Sequence, residues 1–509
     1  MTFDERIGCK LMFGVPGPRI TPEIVRIFQK TRAAGLIVFR PNFASAAAFK
    51  KLLRDLEEAL GRRLLVAVDH EGGRVIHLAA GVSVFPDNRA LAETGREEFA
   101  RRQGSIEAAE LRALGIDLNL APTLDVLAGG FSPNIGIRSY GSDPDLVTKL
   151  GVARIRAMQA GGLSACAKHF PGQGQSPLDA HLDLPVLFTP RREMERLHLP
   201  PFRAALKAGV DAVMSSHPIY PNLERERIPA TFSRAIIHGL LRIDMGFKGL
   251  ILSDDLEMGA LKGLCPIGES AVRAVQAGHD MVLVCHDPAA QLEAHRALLE
   301  AYQSGRLDEG DLDRSFERVR AFLAKRPERF ASLRPSPGEG KALAARIARE
   351  GVKVSSSPAF KRPRKDRDLK AFVIFPKLST LRKRIYIEHE LLDERVFIRN
   401  LFRENKILLQ KIELLDFEPA RPEIEKVSRI AKRSELTVFF CYDAHLYPGM
   451  RECLEKVQAG PGRCAVVLLR DPYDEAFVKP GSFCIQAWGF RGVQIKAAIE
   501  KISGWVHAG

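Results

Sequence analysis

Two stretches of the chain gather side chains that could do chemistry. The first is Ile251-Leu252-Ser253-Asp254-Asp255-Leu256-Glu257-Met258, an apolar run that ends in carboxylates. A carboxylate delivered at the end of a buried strand can serve as a nucleophile, hold a metal ion, or cap the helix that follows. The second is Lys168-His169-Phe170-Pro171-Gly172-Gln173-Gly174, which runs on to Asp179 and His181. Its Gly and Pro content makes a loop, and Asp179 can orient the His181 imidazole and stabilise its charged form. An Asp–His pair of this kind gives and takes protons near neutral pH. A lone loop histidine is more often idle, so the pair acquires meaning only with a nucleophile opposite it.

The hydrophobic pattern shows what must position these groups. Between residues 9 and 287 short apolar runs alternate with segments of helical periodicity, the rhythm of a parallel sheet. Strands are expected at 10–15, 35–39, 64–69, 117–121, 163–168, 212–216, 249–253 and 281–285, and Thr21-Pro22-Glu23 reads as a helix start. Eight such units in about 300 residues suit a (β/α)8 TIM barrel. An open doubly wound sheet fits less well, because no G-x-G-x-x-G follows the first strand. The polar residues cluster just after the strands: Asp69 to Arg74, Asp125 and Arg138, Lys168-His169, Ser216-His217, Asp254-Asp255 and His286-Asp287. In a barrel these points ring one mouth, where catalytic groups are placed. Further strands are expected at 371–375, 406–411, 436–441, 464–469 and 482–487, a smaller α/β sandwich. The expected boundaries are a barrel over 1–325, an exit loop and linking helix over 326–350, and the second domain over 351–509.

Composition narrows the class. With 509 residues, 46% hydrophobic and 27% charged, the chain can bury a sizeable core and is not a disordered one. The net charge of +14 is uneven, since residues 351–509 hold 29 basic and 20 acidic side chains. Much of that excess lies in the run 361–367, which lacks interleaved aromatic residues for stacking on bases and reads as a solvated segment. No nucleic-acid partner is expected. Eight scattered cysteines without zinc spacing read as reduced core thiols. The first residues carry acidic groups where a secretory signal needs basic ones, and no run approaches ~18 apolar residues. A cytoplasmic protein with no membrane partner is therefore expected.

Taken together, the K-H-F-P-G-x-G…D-x-H loop, S-D-D-L-x-M-x-A (253–260), D-x-E-G-G-R (69–74), A-P-x-L-D-V (121–126) and R-S-Y (138–140) resemble glycoside hydrolase family 3. They look most like its β-N-acetylglucosaminidase (β-N-acetylhexosaminidase) branch, which acts in peptidoglycan recycling. The resemblance implies a retaining enzyme with Asp254 as nucleophile, His181 as acid/base and Asp179 as its partner. It also implies that Asp69, Arg138, Lys168 and His169 hold the terminal sugar. Two positions depart from the pattern: His77 stands where an arginine is common, and Gln173 where a histidine is common. His77 is kept among the substrate-binding candidates. No metal or cofactor is implied, the partner is a small amino-sugar glycoside, and a monomer is expected. A phosphorylase acting on the same glycosides and a non-catalytic sugar-binding relic are the alternatives. A metal-dependent hydrolase lacks H-x-H or H-E-x-x-H spacing.

Overall fold

The computed structural model of the chain describes residues 2–78, 81–128, 131–178, 183–325, 338–355, 369–460 and 462–507. These residues form two compact units. The first comprises Met1–Glu71, Ile76–Ser83 and Glu97–Gly340, and the second Gly72–Val75, Val84–Arg96 and Lys341–Gly509.

The first unit is the barrel. Its strands are β1 (Leu11–Phe13), β2 (Gly35–Val38), β3 (Leu65–Val68), β4 (Leu118–Asn119), β5 (Ser164–Phe170), β6 (Ala212–Ser215), β7 (Leu250–Asp255) and β8 (Met281–Val284). They close in the order β1-β8-β7-β6-β5-β4-β3-β2, and every pair is parallel. The eight expected strands are all present, most trimmed by a residue or two at their ends. Met12, Leu65, Ala67, Leu118, Cys166, Ala212, Leu250 and Leu283 share one buried cluster, so the barrel is a packed core. Helices between the strands begin where the sequence provides caps. Thr21 accepts from the Ile24 N–H ahead of Pro22, and Asp143 and Asp287 cap helices that also start with proline. Close packing at the mouth demands glycine at position 174, where a Cβ would lie 2.0 Å from the Val126 carbonyl oxygen.

The second unit is a three-layer α/β domain. Its strands are β9 (Lys353–Val354), β10 (Lys370–Pro376), β11 (Leu408–Leu415), β12 (Leu436–Cys441), β13 (Arg463–Leu468) and β14 (Phe483–Gln486), in the order β9-β14-β13-β12-β10-β11. All pairs are parallel except the β9 edge. Side chains alternate between two cores: Val373, Val438 and Val467 face one, Phe372, Phe439 and Val466 the other. Near-continuous burial along β12 is what a parallel strand covered on both faces requires. The two-residue β9 was not expected, because two exposed residues carry no readable period.

Two segments from early in the chain complete this unit. The Arg491 guanidinium, fully buried, donates to the Gly73 carbonyl through Nε at 2.6 Å and to the Tyr386 carbonyl at 2.7 Å. Asp87 accepts from the Arg74 N–H at 3.0 Å, Arg89 lies 4.6 Å over the Trp488 ring, and Arg96 pairs with Glu350 at 2.5 Å. Gly73 has φ +51°, and a Cβ there would strike the Asp87 carboxyl.

Candidate active site

The two strands that carry the chemistry are the two whose ladders break at their carboxyl ends. The β5–β6 register shifts between Ala167 and Phe170, which brackets Lys168 and His169. The β7–β8 register shifts between the pairs Leu252–Met281 and Asp255–Leu283, which brackets Ser253 and Asp254. An irregularity of this kind turns side chains out of strict alternation, so that neighbours in sequence can serve one site. Ser253 mends the break by accepting from the Leu283 N–H at 3.0 Å.

Glu71 is the hub of the buried charges. It accepts from Arg138 Nη2 at 2.7 Å and Nε at 2.9 Å, from Thr123 at 3.1 Å, and pairs with Lys168 Nζ at 2.7 Å. Lys168 also bonds Asp69 at 2.5 Å, so one ammonium ties the ends of β3 and β5 together. Burial opposes a charge on Glu71, yet Arg138, Lys168 and His169 outweigh it and hold the carboxyl well below its ordinary range. Lys168, equally buried, is raised above its ordinary value by Asp69 and Glu71. Behind this layer Arg154 donates to the Glu71 carbonyl at 2.8 Å and pairs with Glu107 at 2.7 Å.

Asp125 organises the neighbouring loop. One oxygen takes the His169 Nδ1 at 2.7 Å and the His169 N–H at 3.2 Å; the other takes the Gln173 N–H at 2.7 Å. That contact fixes a proton on Nδ1 and turns Nε2 toward Arg138 Nη2, 3.4 Å away. Asp254 sits half-buried at the end of β7 and accepts from the Asp255 N–H at 2.9 Å. Burial alone would raise its pKa, but His217 and His169, the Asp255 N–H and Lys168 reverse that and lower it. Asp255 goes the other way: burial pushes it up to about 6, with exposed His286 3.4 Å from it. Adjacent carboxylates thus have opposite tendencies, and Asp254 is the one that keeps its charge to lower pH.

On the rim Phe39 lies between His77 and His286, with ring centroids 5.2 and 4.8 Å apart. Burial lowers the His77 pKa although Asp69 acts against it, so His77 faces the site as a neutral imidazole. Of the residues expected at the site, Asp69, Arg138, Lys168, His169 and Asp254 form one electrostatically connected group. His77 sits beside them, and Asp179 and His181 lie outside the described residues. Glu71, Thr123, Asp125 and His217 were given no role from sequence. Glu71 and Asp125 fall inside the quoted motifs, which was the available signal.

Among the described residues one group has donor atoms close enough to share a metal ion. It is Asp443, His445 and Asp471 in the second unit, with those atoms within 4.8 Å of one another. Arg470 already pairs with both Asp443 and Asp471, and His445 with Asp474, so these carboxylates have cationic partners within the chain.

Known proteins are similar to this chain in sequence and in fold. The family model for the glycosyl hydrolase family 3 N terminal domain matches residues 2–322. A beta-hexosaminidase of Xylella fastidiosa is 39% identical over 282 residues, covering 54% of this chain and 83% of that one. One from Neisseria meningitidis serogroup C is 38% identical over 285 residues, covering 55% and 78%. Over the full length, the structure of a family 3 beta-N-acetylglucosaminidase from Paenibacillus sp. superposes with a TM-score of 0.91 at 30% identity, covering 100% of this chain and 97% of that one.

Proposed function

The chain belongs to glycosyl hydrolase family 3, and from that premise we propose that it is a retaining β-N-acetylglucosaminidase releasing terminal β-linked N-acetylglucosamine from peptidoglycan fragments. That it is a glycoside hydrolase follows from its relatives. The finer reading is carried by one observation: Asp254 is kept ionised at the barrel mouth, beside the Lys168–Asp69–Glu71–Arg138 cluster. A carboxylate held anionic can attack the anomeric carbon of a sugar whose hydroxyls and N-acetyl group are gripped by that cluster.

In the first step Asp254 forms a bond to the anomeric carbon as the glycosidic bond breaks, and His181 gives its proton to the leaving oxygen. In the second, His181 takes a proton from water, the water oxygen bonds to the same carbon, and Asp254 departs as carboxylate. Two inversions return the β-anomer. Asp179 orients His181 throughout. No metal or cofactor enters either step. A cytoplasmic site of action is part of this proposal; among the described residues no helix is long and apolar enough to cross a membrane.

The decisive experiment compares aryl β-N-acetylglucosaminide with aryl β-glucoside, with and without chelator, and traps the enzyme with a fluorinated sugar. Preference for the amino sugar, indifference to chelator and a label on Asp254 are expected. A label on Asp255, or free turnover of both sugars, would overturn the assignment. In phosphate buffer the product should remain N-acetylglucosamine; accumulation of the 1-phosphate would make the enzyme a phosphorylase.

A further inference from the structure

His217 follows β6 and is 1% exposed. Its Nε2 lies 3.0 Å from the main-chain carbonyl of Asp255, and a carbonyl only accepts, so Nε2 carries a proton. Its Nδ1 lies 2.7 Å from the Thr231 hydroxyl. A hydroxyl has one proton to give, and Thr231 gives it to the Ser216 carbonyl at 3.0 Å. For both Thr231 contacts to be hydrogen bonds, Thr231 accepts from Nδ1, which then carries a proton as well. An imidazole that donates from both nitrogens is a cation.

We propose that His217 is a buried imidazolium that acts through Asp254, holding its carboxylate ionised before attack and stabilising it as the leaving group when water cleaves the glycosyl-enzyme. His217 is thus a positioning residue, and its role rests on the reading of Asp254 as nucleophile. The bookkeeping of the second step is simple: the bond between the anomeric carbon and Asp254 breaks with its electron pair on the carboxylate, and a cation against that end of β7 favours the charge as it appears. The titratable groups around His217 fit this distribution. On β7 it faces Asp254 and Asp255, on β5 His169 shares its influence on Asp254, and ahead of β8 lies His279. Burial lowers the His279 pKa to about 4; its Nδ1 donates to the Ala274 carbonyl and its Nε2 meets the Ser215 hydroxyl. Two imidazoles near each other at the barrel's end are thereby assigned different charges by their acceptors.

The full-length enzyme labelled with 15N-histidine tests the charge directly. The His217 ring, assigned by its disappearance in His217→Gln, should show two protonated nitrogens from about pH 6 to 8. A bare ring nitrogen at neutral pH would overturn the proposal. Kinetics test the coupling. In His217→Gln and His217→Asn the acidic limb of kcat/KM should move up by roughly one unit as Asp254 loses its cation. With an activated aryl N-acetylglucosaminide, a burst should appear as the second step slows by about tenfold or more. An unmoved limb without a burst, in folded variants of an enzyme that Asp254→Asn silences, would overturn the role of His217 alone. An active Asp254→Asn would overturn the nucleophile and this role together.

Discussion

Asp254 and Glu71 are both carboxylates held ionised by cations, yet they answer to different tests. Asp254 sits at the strand end with only one hydrogen bond, to the Asp255 N–H, described for its side chain, so it is poised to react. Asp254→Asn should lower kcat by roughly 10⁴-fold or more while leaving the thermal transition within a degree or two. Glu71 is enclosed by Arg138, Lys168 and Thr123. Glu71→Gln should leave two buried cations short of a counter-charge, costing on the order of 3 kcal/mol and raising KM together with the loss of kcat; a variant that melts like wild type would contradict this. The sequence made Asp254 legible because an apolar run ending in carboxylates is unusual. It left Glu71 silent, because its importance comes from Arg138 and Lys168, 67 and 97 residues away along the chain. Asp125 was placed at the mouth by sequence, but its role was hidden in the same way, its partners His169 and Gln173 arriving a strand later.

At the scale of elements, periodicity found all eight barrel strands because each is a short apolar run between amphipathic helices. What it could not show is that β5 and β7 lose register at their chemistry-bearing ends. A ladder irregularity depends on the partner strand, and a single strand's pattern carries no record of it. The loop after β5 offers a sharper test. Gly174→Ala would drive a Cβ onto the Val126 carbonyl, and because backbone meets backbone the loop has to move. The expected result is a loss of about 1–3 kcal/mol in stability and a fall in kcat/KM larger than that loss explains. Gln173, whose N–H anchors the loop to Asp125, is the adjacent residue. Unchanged kcat/KM would show that the loop's position does not matter for turnover.

At the scale of the whole molecule, burial pushes the Asp87 carboxyl up to about 7 although the Arg74 N–H, Arg491 and Arg74 oppose it. An acid whose folded pKa lies above its unfolded value holds its proton longer in the folded state. Its contribution to stability is complete below the unfolded pKa, near 4, and is lost as pH rises through about 7. Relative to Asp87→Asn, the wild-type protein should therefore lose on the order of 4 kcal/mol between about pH 4 and 8. Parallel pH–melting curves for the two proteins would show that Asp87 does not titrate there. A second prediction concerns assembly: residues 341–509 produced alone lack Gly72–Val75 and Val84–Arg96, both parts of the second unit. Such a fragment should melt without a sharp transition, leaving Arg491 without the Gly73 carbonyl it holds in the intact chain. A transition as cooperative as that of the full chain would contradict the expectation.

That discontinuity also has a history in time. A ribosome adding about 5–20 residues per second finishes the segment ending at Arg96 and then needs roughly 12–50 s to reach Lys341, where the rest of the second unit begins. Throughout that interval Phe85, Leu91 and the turn at Gly73 have only each other's short segments as partners from their own unit, because residues 341–509 are not yet synthesised. Any factor that shelters nascent apolar surface has its opportunity here, long before the last strand is made. Folding of the second unit is in this sense a rendezvous: early residues must be kept presentable until late ones arrive.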